Sequence, residues 1–126
     1  MTLDVVMANI LIAEDDRDIR ELVVLTLGFS GFTVTGVEDG RFAAEEATQN
    51  NYDLILLDVN MPRMTGYEAC TEIRKNGLNC ETPVLILSAA GHEEERQRGL
   101  DAGVNGYVMK PFAPDVLIQT INALLV

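Results

Sequence analysis

Residues 52–62 read YDLILLDVNMP: four consecutive apolar residues, Leu54 to Leu57, run straight into the carboxylate of Asp58. An unbroken apolar run this short fits a strand covered on both faces, as in a parallel sheet. A charge at the mouth of such a strand is costly without a partner, so Asp58 reads as part of a site. The runs NILIA (9–13), PVLILS (83–88) and GYVM (106–109) share the near-continuous apolar character, whereas FTVTGV (32–37) alternates like an exposed edge. Segments of helical length lie between them. From Asp16 onward Ile19, Leu22, Val23 and Leu27 recur at helical spacing, and Gly28 or Gly31 can end that helix. GRFAAEEATQN (40–50) supplies a second helix, and TGYEACTEIRKNG (65–77) a third with Cys70 and Ile73 inward and Gly77 as its stop. PDVLIQTINALLV (114–126) supplies the last, opened by Pro114. The fourth, EEERQRGLDAG (93–103), carries Gly99 in mid-element, worth about 1 kcal/mol against Ala, and only Leu100 as a large apolar anchor. It is expected to be the least stable helix.

Strand–helix alternation repeated five times predicts a doubly wound α/β domain of (βα)5 type, with helices on both faces of a parallel sheet. Residues 1–8 read as a short extension and 9–126 as one domain, without linker, repeat or low-complexity segment. With 48% apolar and 23% charged residues in 126, the composition is that of a globular protein. No apolar run approaches the roughly 20 residues needed to span a membrane. The opening MTLDVVMA lacks the basic flank of a signal peptide, so a cytoplasmic location is expected. A net charge of −11 argues against contact with nucleic acid or anionic lipid and suits a divalent cation or a basic partner. Cys70 and Cys80 have no CxxC spacing and no His at ligand distance in sequence, and read as reduced thiols. The single histidine, His92, reads as a solvated loop residue, Glu93–Glu95 as an acidic first turn of a helix, and GVNGY (103–107) as turn chemistry.

Ligands of doubly wound sheets sit beyond the carboxyl ends of the strands, which directs attention to the residues after each run. The first run leads to Glu14, Asp15 and Asp16, the third to Asp58, Val59 and Asn60, and the fourth ends in Ser88. The fifth carries Tyr107 and leads to Lys110, one of only two lysines, and Pro111. Three carboxylates brought within a few ångströms cannot all stay ionised without a cation. Hard oxygen donors point to Mg²⁺. A backbone carbonyl, a hydroxyl and an ammonium beside that metal make a pocket for a phosphoryl group, and a carboxylate can act as its nucleophile.

The segments ILIAEDD (10–16), LILLDVNMPRMTG (54–66), LILSA (85–89) and GYVMKPF (106–112), in this order and spacing, resemble the receiver domain of bacterial response regulators, over roughly residues 9–125. The resemblance implies a flavodoxin-like fold with strand order 2-1-3-4-5. It implies that Asp58 is the phosphoacceptor, and that Asp15, Asp58 and the backbone carbonyl of Asn60 ligate Mg²⁺, with Glu14 acting through water. Asp16, one place beyond the acidic pair, is better suited to cap the first helix. Ser88 takes the position of the switch hydroxyl, Tyr107 that of the switch aromatic, and Lys110 that of the phosphoryl-binding lysine with a cis bond to Pro111. The implied partner is a sensor histidine kinase or phosphotransfer protein. The face made by the fourth helix, fifth strand and fifth helix would then signal to an output domain or effector, with homodimerisation on phosphorylation as an option. Asn60 and Ala90 would flank a hydrolysing water, and neither is a strong base, so an intermediate phosphoryl lifetime is expected.

Two other readings use parts of the same chemistry. Phosphatases of the haloacid dehalogenase type also form an aspartyl-phosphate beside Mg²⁺, but need an acid two residues after the nucleophile, where this chain has Asn60. A flavin carrier would need a hydroxyl- and glycine-rich loop where this chain has Glu14, Asp15 and Asp16. Receivers attached to winged-helix factors often carry DDY before the fifth-strand lysine and basic residues in the last helix. This chain has NGY and no Lys or Arg there, which leans away from that class.

Overall fold

The computed structural model describes residues 8–75, 77–89 and 93–125, with the backbone alone for residues 93–96. Strands β1 (Asn9–Ala13), β2 (Thr33–Val37), β3 (Leu54–Asp58), β4 (Val84–Ser88) and β5 (Gly106–Met109) alternate with helices α1 (Arg17–Phe29), α2 (Gly40–Gln49), α3 (Gly66–Lys75), α4 (Glu93–Ala102) and α5 (Pro114–Leu125). The strands form one parallel sheet in the order β2-β1-β3-β4-β5, as the resemblance implies.

Side-chain alternation along each strand feeds two cores. Leu54 and Leu56 join Ile10, Ile12, Leu85 and Leu87 against Val23 and Leu27 of α1 and Leu117 and Ile121 of α5. Ile55 and Leu57 join Leu11, Val84 and Ile86 against Ala43 and Ala47 of α2 and Ala69, Cys70 and Ile73 of α3. Every residue of β3 is buried, which is why its sequence shows no alternation. β2, partly exposed along its length, is the edge that its alternating pattern predicts.

Helix ends follow local chemistry. Asp16 caps α1, its Oδ1 accepting from the N–H groups of Asp18 at 2.9 Å and Ile19 at 3.1 Å. The helix runs through Gly28 and stops before Gly31, which adopts φ +98°. α3 starts with a reciprocal box: the Thr65 N–H donates to Glu68 Oε1 at 2.9 Å, and the Glu68 N–H donates to Thr65 Oγ1 at 3.2 Å.

Two expectations about packing need correction. Leu22 is 54% exposed, because the buried stripe of α1 centres on Val23 and Leu27 and a neighbour 100° away faces solvent. Leu100 is 71% exposed and is not an inward anchor; α4 instead presents Gly99 and Ala102 inward. Cys70 is buried and donates its thiol to the Ala102 carbonyl at 3.2 Å, tying α3 to α4, while Cys80 is exposed; neither is in a disulfide. Among the described residues no helix is long and apolar enough to cross a membrane. His92 and Ala90 lie outside the described residues, as do the side chains of Glu93–Glu95.

Candidate functional site

Parallel strands all end at one edge, so the topology gathers what the sequence scatters. Ala13 pairs with Leu57 and Asp58 with Leu87, which sets Glu14 and Asp15 beside the end of β3. The Lys110 N–H donates to the Ser88 carbonyl at 2.8 Å, extending the β4–β5 ladder to the residue that carries the ammonium. The Lys110–Pro111 bond is cis.

The oxygens of Glu14, Asp15 and Asp58 lie within 4.8 Å of one another. Lys110 Nζ reaches Asp58 Oδ1 at 2.6 Å and Glu14 Oε1 at 2.7 Å. Glu14 is 1% exposed and Asp58 7%, while Asp15 is exposed at the rim. Burial pushes the Asp58 carboxyl above its ordinary range, the Lys110 hydrogen bond pulls the other way, and the charge of Asp15 adds to the rise. Burial likewise raises Glu14 against the pull of Lys110 and the Asp16 N–H, with the charge of Asp58 adding to the rise. For Lys110 burial works to lower the ammonium, but the two carboxylates outweigh it and hold the group above its usual value. One ammonium thus touches two of three clustered carboxylates. The donor set, all hard oxygen, fits a small divalent cation.

The remaining expected residues fall around this cluster. Ser88 is 3% exposed at the end of β4, and Asn60 is exposed in the loop after β3. Tyr107 is half-buried with its ring toward α3 and α4, and its hydroxyl lies 3.3 Å from that of Tyr67.

Three glycines do work that the sequence did not announce. A methyl group on Gly66 would overlap the backbone carbonyl of Asp58, so α3 can approach the end of β3 only because that residue lacks a side chain. Gly40, opening α2, abuts the Met64 carbonyl in the same way. Gly99, read from sequence as a weakness, is a socket: a methyl there would overlap the Tyr107 hydroxyl. Gly99→Ala should therefore lower the melting temperature, the loss from overpacking exceeding the gain of about 1 kcal/mol in helix propensity. A thermal melt showing stabilisation would mean that the socket is loose.

The chain matches the response regulator receiver domain family over residues 10–122. It is 41% identical over 117 residues to the response regulator MprA of Mycobacterium ulcerans, covering 93% of this chain and 50% of that protein. The counterpart from Mycolicibacterium vanbaalenii is 40% identical with the same coverage, so the chain spans about half the length of these curated relatives. The structure of the Vibrio cholerae chemotaxis protein CheY4 superposes with a TM-score of 0.92 at 37% identity, covering 94% of this chain and 99% of that one. The receiver domain of the Pseudomonas aeruginosa sensor histidine kinase PA1611, solved with a magnesium ion coordinated in its active-site cleft, gives 0.88 at 32% identity, covering 94% and 98%.

Proposed function

The chain belongs to the response regulator receiver domain family of two-component signalling, and from that premise we propose that Asp58 accepts a phosphoryl group from a phosphohistidine of a partner kinase or phosphotransfer protein, with Mg²⁺ as cofactor. The observation that carries this reading is the contact of Lys110 Nζ with Asp58 Oδ1 at 2.6 Å inside a cluster of three carboxylates. A buried carboxylate next to one ammonium and two further acids is poorly placed as a structural ion pair and well placed as a nucleophile.

In the transfer, a carboxylate oxygen of Asp58 forms a bond to phosphorus as the P–N bond of the donor breaks, and the electron pair leaves with the imidazole nitrogen. Lys110 holds an equatorial phosphoryl oxygen, exchanging a carboxylate contact for it. Asp15, Asp58 and the carbonyl of Asn60 would hold the cation, which when bound neutralises charge on the phosphoryl oxygens. Both Glu14 oxygens already accept hydrogen bonds, Oε1 from Lys110 and Oε2 from the Asp16 N–H at 3.2 Å, which suits a role through water. Once phosphorylated, Asp58 offers acceptors to the Ser88 hydroxyl. The movement of Ser88 would shift the equilibrium of Tyr107 and of the α4–β5–α5 face that an effector or second copy reads. Neither Asn60 nor Ala90, which would flank a hydrolysing water, is a strong base, so self-hydrolysis would be of intermediate speed.

The test is incubation with Mg²⁺ and a small-molecule phosphodonor. One phosphoryl group should be added, and peptide mapping should locate it on Asp58. No uptake, or uptake at another residue, overturns the assignment.

A further inference from the structure

The loop that leaves Asp58 returns to α3 through a closed path. The Gly66 N–H donates to the Val59 carbonyl at 3.0 Å, which shuts the base of the loop and leaves residues 60–65 to be held at their tip. At that tip stands Arg63, with φ +67° the only residue other than glycine in the left-handed region among those described. An arginine stays there only when its surroundings hold it. Three contacts do so. Arg63 Nε donates to Asp39 Oδ2 at 2.9 Å and Nη2 to Asp39 Oδ1 at 3.3 Å, a two-pronged pair on a carboxylate that is 9% exposed. The guanidinium carbon lies 5.0 Å from the centroid of the Phe42 ring. One residue on, the Met64 carbonyl abuts Gly40, where any side chain would collide with it. Asp39 is itself fixed, since it caps α2 and accepts the Phe42 N–H at 2.9 Å.

We propose that Asp39 and Arg63 are positioning residues, a latch that fastens the β3–α3 loop to the start of α2 and thereby aims the Asn60 carbonyl at the divalent cation. The inference rests on the reading of the site given above. Asp39 lies outside the carboxylate cluster, so the latch acts through the loop. Guanidinium and carboxylate forks match in geometry, which makes the tie directional as well as electrostatic.

The decisive measurement is calorimetric titration of Mg²⁺ into the full chain. Arg63→Gly keeps a residue at ease with positive φ and cuts the tie. Asp39→Asn keeps an acceptor for the Phe42 N–H and loses the charge. Arg41→Ala, which breaks an exposed pair with Glu45 in the same helix, is the control. The latch predicts that the Mg²⁺ dissociation constant rises about tenfold in Arg63→Gly and Asp39→Asn, as for other residues that orient metal ligands. It predicts partial recovery in Arg63→Lys and no weakening in Arg41→Ala. At saturating Mg²⁺ the phosphorylation rate should stay within about twofold of wild type. Arg63→Gly separates the latch from charge alone, because deleting a cation from a chain of net charge −11 should by itself tighten Mg²⁺. Unchanged or tighter binding in Arg63→Gly, or equal weakening in Arg41→Ala, overturns the latch and leaves the site reading intact. A wild-type chain that takes up no Mg²⁺ overturns both.

Discussion

Asn79→Ala should cost the domain about 4 kcal/mol and lower its melting temperature by roughly 15 °C. Asn79 is 1% exposed and uses its whole amide. Its Nδ2 donates to the carbonyls of Ala47 at 2.6 Å and Asn50 at 2.8 Å, while its Oδ1 accepts from the Tyr52 N–H at 2.9 Å and the Thr82 hydroxyl at 3.0 Å. The Ala47 contact matters most. α2 ends at Gln49 with no basic residue in its last turn and with Asn50 in an extended conformation, so Asn79 satisfies from a distance a carbonyl that the helix end leaves open. Truncation leaves the buried Ala47 carbonyl and Tyr52 N–H without their amide partner, and each such group costs about 1–3 kcal/mol before relaxation. Asn79→Asp should do no better at neutral pH, since it keeps the acceptors, loses both donors and adds a buried charge. Urea and thermal melts decide it. A loss for Asn79→Ala below about 1 kcal/mol would show that the neighbours rearrange freely.

Much of the fold was legible because the buried strands announce themselves. β1 spans the residues of its apolar run, and β3 differs from its run only at the ends, because a parallel strand covered on both faces has nowhere to put a polar residue between its ends. The converging acids were legible for the same topological reason: parallel strands end together, so Glu14 and Lys110, 96 residues apart in sequence, meet at 2.7 Å. What escaped were roles that depend on particular tertiary partners. Arg74 looks like an ordinary basic residue closing α3. It donates to the carbonyls of Asn79, Cys80, Thr82 and Gly103 and to Asn105 Oδ1, stapling the far end of the sheet. Arg63 gave no sign of a left-handed backbone, since arginine does not favour one. Gly99 hid a second role, because propensity counts what a glycine lacks and is blind to the Tyr107 hydroxyl that occupies the gap. Leu22 shows the remaining weakness of periodicity: apolar residues at helical spacing mark a stripe, but α1 also carries Leu25 and Phe29 outward, at 59% and 88% exposure, and composition cannot say which stripe is inside.

Asp58→Asn should move function and stability in opposite directions: phosphoryl uptake is abolished, and the metal-free protein melts a few degrees higher than wild type at pH 7. Loss of uptake follows because a carboxamide is too weak a nucleophile to replace the carboxylate. The gain in stability follows from linkage. A carboxyl whose pKa is higher in the folded than in the unfolded chain binds more protons when folded, so stability falls as pH rises from the ordinary carboxylate value through the raised one. Asp58 is such a group, raised by burial and by Asp15 despite Lys110, so at neutral pH its ionised form carries the whole cost. Asn is neutral at every pH and similar in size, and its oxygen can still accept from Lys110, whose contact with Glu14 at 2.7 Å is retained. The advantage of the variant should therefore shrink as pH falls and vanish near about pH 3, below the ordinary carboxylate value, where the wild-type carboxyl is protonated in both states. Added Mg²⁺ should reverse the order at pH 7, because the intact carboxylate set binds the ion more tightly and binding stabilises the folded state by mass action. Melts in chelator and in millimolar Mg²⁺, with labelling alongside, read all three. A variant that melts below wild type in chelator would mean that the Lys110 pair outweighs burial and repulsion, and one that still takes up phosphoryl would remove Asp58 from the chemistry.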